Sequence, residues 1–388
     1  MPLDPTPVPP CTPRPPANID LAHGRLGLAL SGGGYRAAAF HIGTLDALQD
    51  LGLLGSISDL STVSGGSITG VAWLFFRATN PGSPYADFRA WFGTKLRTVN
   101  MDVKDVLVGL IDPFHTDTDY LIKSYRDHFF GDATLSLLAT AGLPRICINA
   151  TSLNTGKDWK FYSDVMGDWY FCQHRPGTTW QERFYPSGNV PLAVAVAASS
   201  CFPPVFAPLI LPSKQYFPDQ AATNPYVALA DGGMYDNLGL DSLMYGTLHG
   251  DSCTHLIASD GSGPFQIEAK PGTGQLVYLT RTTSIMMAKL RAFEFQVAKL
   301  EGQAAGVPRT AFFSLNSKLD SEPDSLIATC NISTRLTALS DAQFDALTTH
   351  AKNLATARVQ QYLLGHAATD SAREMAIAPG GAPVNVEK

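Results

Sequence analysis

The chain is poor in charge, and the charge it has is not concentrated anywhere. Only 16% of its 388 residues are Asp, Glu, Lys or Arg, the net charge is −6, and no Lys/Arg cluster occurs. A nucleic-acid partner is therefore not expected, and nothing would pull the protein electrostatically to an anionic membrane; any membrane contact would have to be apolar. Cysteine pairing is missing too. Cys11, Cys147, Cys172, Cys201, Cys253 and Cys330 are scattered, with no CxxC pair and no zinc-like spacing to histidine. Buried free thiols in a reducing compartment follow, and no metal site is expected. There is no charged-then-apolar leader and no run of the ~18–20 apolar residues that a membrane span requires. These absences point to a cytoplasmic or peripherally membrane-associated protein without a transmembrane segment, and are compatible with leaderless export. A Gly-Lys-Ser/Thr phosphate loop is also absent, and no cofactor is expected.

Apolar residues make up 45% of the chain, enough for a substantial core. Eight of the first sixteen residues are proline, so residues 1–23 read as an extended tail. Residues 24–368 read as the folded domain, and 369–388 as a disordered tail. Leu26, Leu28 and Leu30 alternate as in a strand, and Ala37, Ala38, His41, Leu45 and Leu48 then recur at helical spacing up to Gly52. A second strand through Leu60 to Val63 precedes a helix from Ser67. This strand–helix–strand–helix order implies an α/β fold, a three-layer α/β/α sandwich around a mainly parallel sheet. The aromatic-rich stretch 80–140 reads as an insertion or cap over one sheet end. Further strands are expected over 145–150, 226–230 and 254–259, a hairpin at 159–162, and a small-residue helix over 192–198. Met286, Leu290, Phe293, Val297 and Leu300 form one stripe that predicts the buried face of a late helix, leaving Ile285 and Phe295 on the far side either for a contact with another part of the domain or for insertion into a membrane. Ser340 and Gln343 form a capping box for the last helix.

Three glycine-rich segments carry the chemistry. Ser31-Gly-Gly-Gly-Tyr-Arg36 follows the first strand. It lacks the spacing of a dinucleotide fingerprint, and Asp59 precedes the core of the next strand instead of ending it. Consecutive glycines at a helix start suit an oxyanion hole, with the N–H groups of Gly33 and Gly34 as donors. Gly32 and Arg36 are candidates for supporting the loop or the substrate. In Val63-Ser-Gly-Gly-Ser-Ile-Thr-Gly70, Ser67 is the candidate nucleophile, with small residues at Gly65 and Gly70 around a sharp strand-to-helix turn. Ser64 competes, but Thr62 then stands where a glycine is wanted.

A serine needs a base. None of the nine histidines follows the pattern of a triad loop; His41 reads as a packed helix residue, and His249 and His255 as bland. Asp231, at a strand end and followed by Gly232 and Gly233, is the better candidate; Asp260 is similar in form but lacks the Gly-x-Tyr-Asp-Asn continuation. An oxyanion cradle, a raised serine and a close carboxylate together suggest ester hydrolysis. Phe202, Pro203, Val205 and Phe206 suggest a hydrophobic mouth suited to an acyl chain.

The order GGGxR, GxSx(G/T)G, DGGxYDN resembles the patatin-like phospholipases, lipid acyl hydrolases with a Ser–Asp dyad and no catalytic histidine. The resemblance covers about residues 25–80 and 190–262. It implies Ser67 as nucleophile, Asp231 as base and Gly33 and Gly34 as oxyanion donors, with Thr69 and Ser31 as departures from the pattern. The implied substrate is a phospholipid or lysophospholipid at a membrane or micelle interface. A carboxylesterase or transacylase on neutral lipids, and a non-catalytic lipid-binding scaffold, are the alternatives.

Overall fold

The computed structural model describes residues 24–101, 116–172, 184–245, 253–263, 274–301, 309–321, 331–365, 372–377 and 383–385, with the single residues 265, 270, 272 and 329. The proline-rich segment and His23, His115, His174, His249 and His366 lie outside the described residues.

Strands β1 (Leu26–Leu30), β2 (Ile57–Val63), β3 (Arg145–Ser152), β9 (His255–Asp260) and β10 (Arg309–Ser314) form the parallel part of a ten-stranded sheet, in the order β10-β9-β1-β2-β3. The sheet continues antiparallel from β3 through β4 (Lys157–Phe161), β5 (Val165–Gly167) and β6 (Tyr185–Pro186). Strands β7 (Leu209–Pro212) and β8 (Tyr226–Asp231) pair with each other, and β8 pairs antiparallel with the end of β3.

β1 is buried on both faces, as a central parallel strand must be. Leu26, Leu28 and Leu30 join the main core, together with helices α1 (Gly34–Asp50) and α2 (Gly65–Thr79). Each such fully buried leucine contributes about 1.5–3 kcal/mol of transfer free energy. Ala29, on the opposite face, belongs to a smaller core with Leu238, Leu240, Leu256 and Ala258. Two helical or loop layers around a mainly parallel sheet are the expected three-layer sandwich. At the N-terminal ends of the strands, the buried Asp59 is ion-paired to Arg25 and Arg145, each at 2.7 Å, so it is a structural carboxylate.

Three regions differ from the sequence-based expectation. The described parts of 80–140 include α3 (Tyr85–Thr98) and α4 (Asp117–Tyr125), whose environs pack Phe88, Phe92, Phe129 and Phe130 into the main core. They extend the helical layer beside α2; the aromatics are core residues that read as a cap because they are not arranged with one clean period. Helix α5 (Leu192–Ser200) forms as expected.

Helix α6 (Gln275–Glu301) does not bury its apolar stripe as a unit. Met286 and Phe293 of the stripe are exposed (66% and 60%), as is Ile285 of the far side, whereas Val297 of the stripe and Phe295 of the far side face inward and pack on the smaller core, with the Phe295 ring centroid 4.2 Å from that of Phe312. The inward face carries Arg291 and Glu294, whose polar contacts to the loops below fix the helix orientation: Arg291 meets the Ser262 hydroxyl at 3.0 Å and Glu294 accepts from the Leu238 N–H at 3.3 Å. Helix α7 (Asp341–Tyr362) starts with the Ser340–Gln343 capping box. Residues 372–377 and 383–385, expected in a disordered tail, are strands β12 and β13, beside β11 (Ser317–Leu319).

Candidate active site

Backbone register alone brings a serine and an aspartate together. β2 pairs with the first part of β3, ending at Val63 opposite Asn149. β8 pairs with the last part of β3, ending at Asp231 opposite Ala150. β4 occupies the other edge of β3, so β2 and β8 share one edge and run toward each other head-on. Their C-terminal ends meet there, and the residue that leaves β2 is Ser64.

Ser64 is the N-cap of α2 and has φ 50° and ψ −114°; it is the one non-glycine residue with positive φ among the described residues. That conformation is strained for a residue with a Cβ and marks the sharp turn that exposes a nucleophile. The residues after it permit the turn. A Cβ on Gly66 would stand 2.8 Å from the Ser31 carbonyl oxygen and closer still to that of Leu30, and one on Gly65 would strike the backbone of Gly34.

Ser67 lies one turn later, inside α2. It is fully buried, its Oγ donates to Thr62 Oγ1 at 3.0 Å, and it lies 2.8 Å from Ser199 Oγ. The strained position thus falls three residues earlier than the motif reading placed it. That reading rejected Ser64 because Thr62 occupies the place of a glycine. The structure accommodates Thr62 by another means: a Cβ on Gly70 would stand 2.6 Å from the Thr62 methyl, so Gly70 makes room for it from the neighbouring helix turn.

Asp231 is buried, and its Oδ1 accepts the Gly233 N–H at 2.8 Å. Burial pushes its carboxyl up to about 6, against the opposing effects of the Gly233 N–H and of the nearby Ser64 hydroxyl. A Cβ on Gly232 would clash with the Asn149 carbonyl, so glycine is needed for the strand end to come this close.

The glycine row after β1 lies against the same turn. Gly33 has φ 133° and Gly34 φ 61°. Their N–H groups precede the first intrahelical acceptors of α1 and have no acceptor among the described residues. Gly32 is close enough to Ser64 that a Cβ on it would lie 3.3 Å from the serine Cβ. Arg36 does not project into this space: its guanidinium donates to the carbonyls of Gly261, Ser262 and Ile332, tying neighbouring loops together. Asp260 stands at the end of β9 and accepts from Ser31 Oγ at 3.2 Å and from the Ser262 N–H at 3.0 Å, so it braces the glycine loop from beneath.

Asn237 is a further site residue, not singled out from the sequence beyond its place in DGGxYDN. Its carbonyl accepts the Gly32 N–H at 3.2 Å, and its Oδ1 would meet a Cβ on either Gly32 or Gly233. It therefore wedges the glycine row and the Asp231 loop at a fixed spacing.

The described histidines stand elsewhere. His41 is fully buried; its Nε2 donates to the Ser31 carbonyl and its Nδ1 accepts from Ser259, each at 2.9 Å. Burial lowers its pKa to about 4, so the ring is neutral and structural. His255 begins β9, at the opposite end of the sheet from Ser64. The free thiols of Cys147, Cys172, Cys201 and Cys253 are all buried.

The profile of the patatin-like phospholipase family matches residues 28–244, from within β1 to just beyond the Asp231 loop. The chain belongs to the patatin-like phospholipase family. Among solved structures it is similar to human GIVD cytosolic phospholipase A2. The form in complex with methyl γ-linolenyl fluorophosphonate and terbium chloride is 15% identical with a TM-score of 0.52, and another structure of the same enzyme is 14% identical with a TM-score of 0.53. The similarity covers 86% of this chain in both cases and 58% and 59% of those chains, so this patatin-like chain spans less than two thirds of their length. Identities this low speak for the fold. No curated protein matches the sequence. Among the described residues of this family member, no helix is long and apolar enough to cross a membrane.

Proposed function

We propose that this patatin-like protein hydrolyses carboxylic esters of phospholipids or lysophospholipids through a Ser64–Asp231 dyad. The observation that carries this reading is the strained Ser64 at the head-on meeting of β2 and β8, beside the buried Asp231 carboxylate whose pKa is raised toward neutrality. An aspartate of ordinary pKa is a poor base for a serine hydroxyl; desolvation brings Asp231 closer to the working pH, where general-base catalysis is more efficient. Asp231 takes the Ser64 proton as Oγ attacks the ester carbonyl carbon. The negative charge that forms on the carbonyl oxygen is received by the Gly33 and Gly34 N–H groups at the start of α1. As the tetrahedral intermediate collapses, the carbon–oxygen bond to the alcohol breaks and Asp231 returns the proton to that alcohol. Water, deprotonated by the same carboxylate, then releases the fatty acid from Ser64.

The apolar run Phe202–Phe206 follows α5 and begins beside Asp231, whose N–H donates to the Cys201 carbonyl at 3.1 Å. It offers the acyl chain an apolar entry. The family assignment supports a lipid substrate.

A fluorophosphonate tests the dyad directly. The probe should modify Ser64, located by mass spectrometry, and Ser64→Ala should abolish both labelling and fatty-acid release from phosphatidylcholine vesicles. A label on any other serine, or labelling of Ser64 without release of acyl chains from lipid or soluble ester, would refute the proposal.

A further inference from the structure

The backbone N–H of Ser64 is bound by a side chain. It donates to Ser199 Oγ of α5 at 2.9 Å. Ser199 Oγ lies 2.8 Å from Ser67 Oγ, which lies 3.0 Å from Thr62 Oγ1, which in turn lies 3.3 Å from the Cys147 carbonyl oxygen on β3. All three hydroxyl residues are fully buried. The far end fixes every proton. A carbonyl only accepts, so Thr62 donates to Cys147; Thr62 then accepts from Ser67, and Ser67 accepts from Ser199. The Ser199 oxygen is left to accept from the amide of Ser64. The result is one directional chain in which each bond polarises the next.

The same end of α5 reaches the other half of the dyad. Two residues beyond Ser199, the Cys201 carbonyl accepts the Asp231 N–H at 3.1 Å. The intervening Ser200 is engaged away from the dyad, with its hydroxyl on Val196 O at 2.7 Å and beside Tyr125 Oη at 3.0 Å. One rigid helix end therefore holds the backbone on both sides of the reacting pair.

We propose that Ser199 and Ser67 are positioning residues for the nucleophile, and that the Ser199–Cys201 segment sets the spacing between Ser64 and Asp231; this rests on Ser64 being the nucleophile. Without the Ser199 hydroxyl, the Ser64 amide has no partner in a buried site, and the turn can relax away from φ 50°. The hydroxyl then swings out of line with Asp231 and the Gly33–Gly34 amides. A misplacement of this kind acts on turnover, whereas substrate affinity is set by other surfaces.

The test uses the full chain, with kcat and KM on a soluble nitrophenyl ester and the rate of fluorophosphonate labelling, all normalised to sites that label at saturation. In the labelling reaction Ser64 Oγ bonds to phosphorus, the P–F bond breaks, fluoride leaves and Asp231 receives the proton, so its rate reports nucleophile geometry without any acyl pocket. Ser199→Ala should lower kcat and the labelling rate about 10- to 100-fold with KM within about twofold. Ser67→Ala should lower both by a smaller factor, because Ser199 still accepts from the amide. Alanine at position 67 suits the helix interior and keeps the fold. The double variant should be no worse than Ser199→Ala alone, since both act on one chain.

Parent-like labelling rates per active site in both single variants would overturn the positioning role, even if both melt at lower temperature. Should Ser199→Ala fail to fold, a parent-like rate in Ser67→Ala overturns it by itself. A label on Ser67 in the parent would instead overturn the dyad assignment.

Discussion

Asp231→Asn should inactivate the protein and make it more stable above neutral pH. The exchange is nearly isosteric: the amide oxygen still accepts the Gly233 N–H, and the amide nitrogen takes the place of the carboxylate oxygen on the side of Ser64. What is lost is a buried negative charge. Burial lifts the carboxyl from an ordinary 3.8 to about 6. At about 1.4 kcal/mol per pH unit, this amounts to at most about 3 kcal/mol of destabilisation in the ionised form. The sign follows from proton uptake. Between about pH 4 and 6 the folded state binds more protons at this site than the unfolded state, so the parent loses stability as pH rises through that window. The full cost stands above pH 6 and is absent below about 4. The variant carries no such term, so its advantage in melting temperature should be present at pH 8, shrink through pH 6 and vanish near pH 4. In the parent, kcat/KM on a soluble ester should rise with an apparent pKa of about 6, with roughly one tenth of the base ionised at pH 5. A variant that is less stable than the parent at pH 8, or an advantage that does not change with pH, would refute the argument that Asp231 is a desolvated base.

Ser64→Gly should abolish turnover and raise stability by about 1 kcal/mol by releasing the positive-φ strain; a drop in melting temperature would show that the turn is not strained. Gly66→Ala forces a methyl group against the carbonyls of Leu30 and Ser31. It should cost about 3 kcal/mol and depress activity on every substrate, read by urea unfolding and ester assay. Phe295→Ser should cost about 3 kcal/mol and lower activity equally on vesicles and soluble ester, because its ring packs on Phe312. Phe293→Ser, on the exposed face of α6, should change stability by no more than about 0.5 kcal/mol. The reverse ranking in a thermal melt would mean that the helix is rotated from the orientation described.

Much of this molecule is settled by local sequence. The alternation Leu26-x-Leu28-x-Leu30 followed by three glycines fixes a strand, a turn and a helix start, because each signal is short-range. The Ser340–Gln343 box likewise fixes where α7 begins, since its two reciprocal hydrogen bonds span only three residues. Asp231 with two following glycines was legible for the same reason: a strand end and a close approach both leave marks in adjacent residues. Which serine stands at the turn was not. Serines 64 and 67 sit in nearly equivalent local contexts, and the distinction is made by β2 pairing with β3 as far as Val63, by Gly70 making room for the Thr62 methyl, and by Ser199 binding the Ser64 amide from another helix. The face of α6 was equally hidden, because its inward side is selected by polar contacts of Arg291 and Glu294 to loops far away in sequence, and an apolar stripe records only what a helix can bury. Periodicity reports the preference of a segment for some apolar surface; which surface, and which hydroxyl meets the carboxylate, depends on long-range packing that no window of the sequence contains.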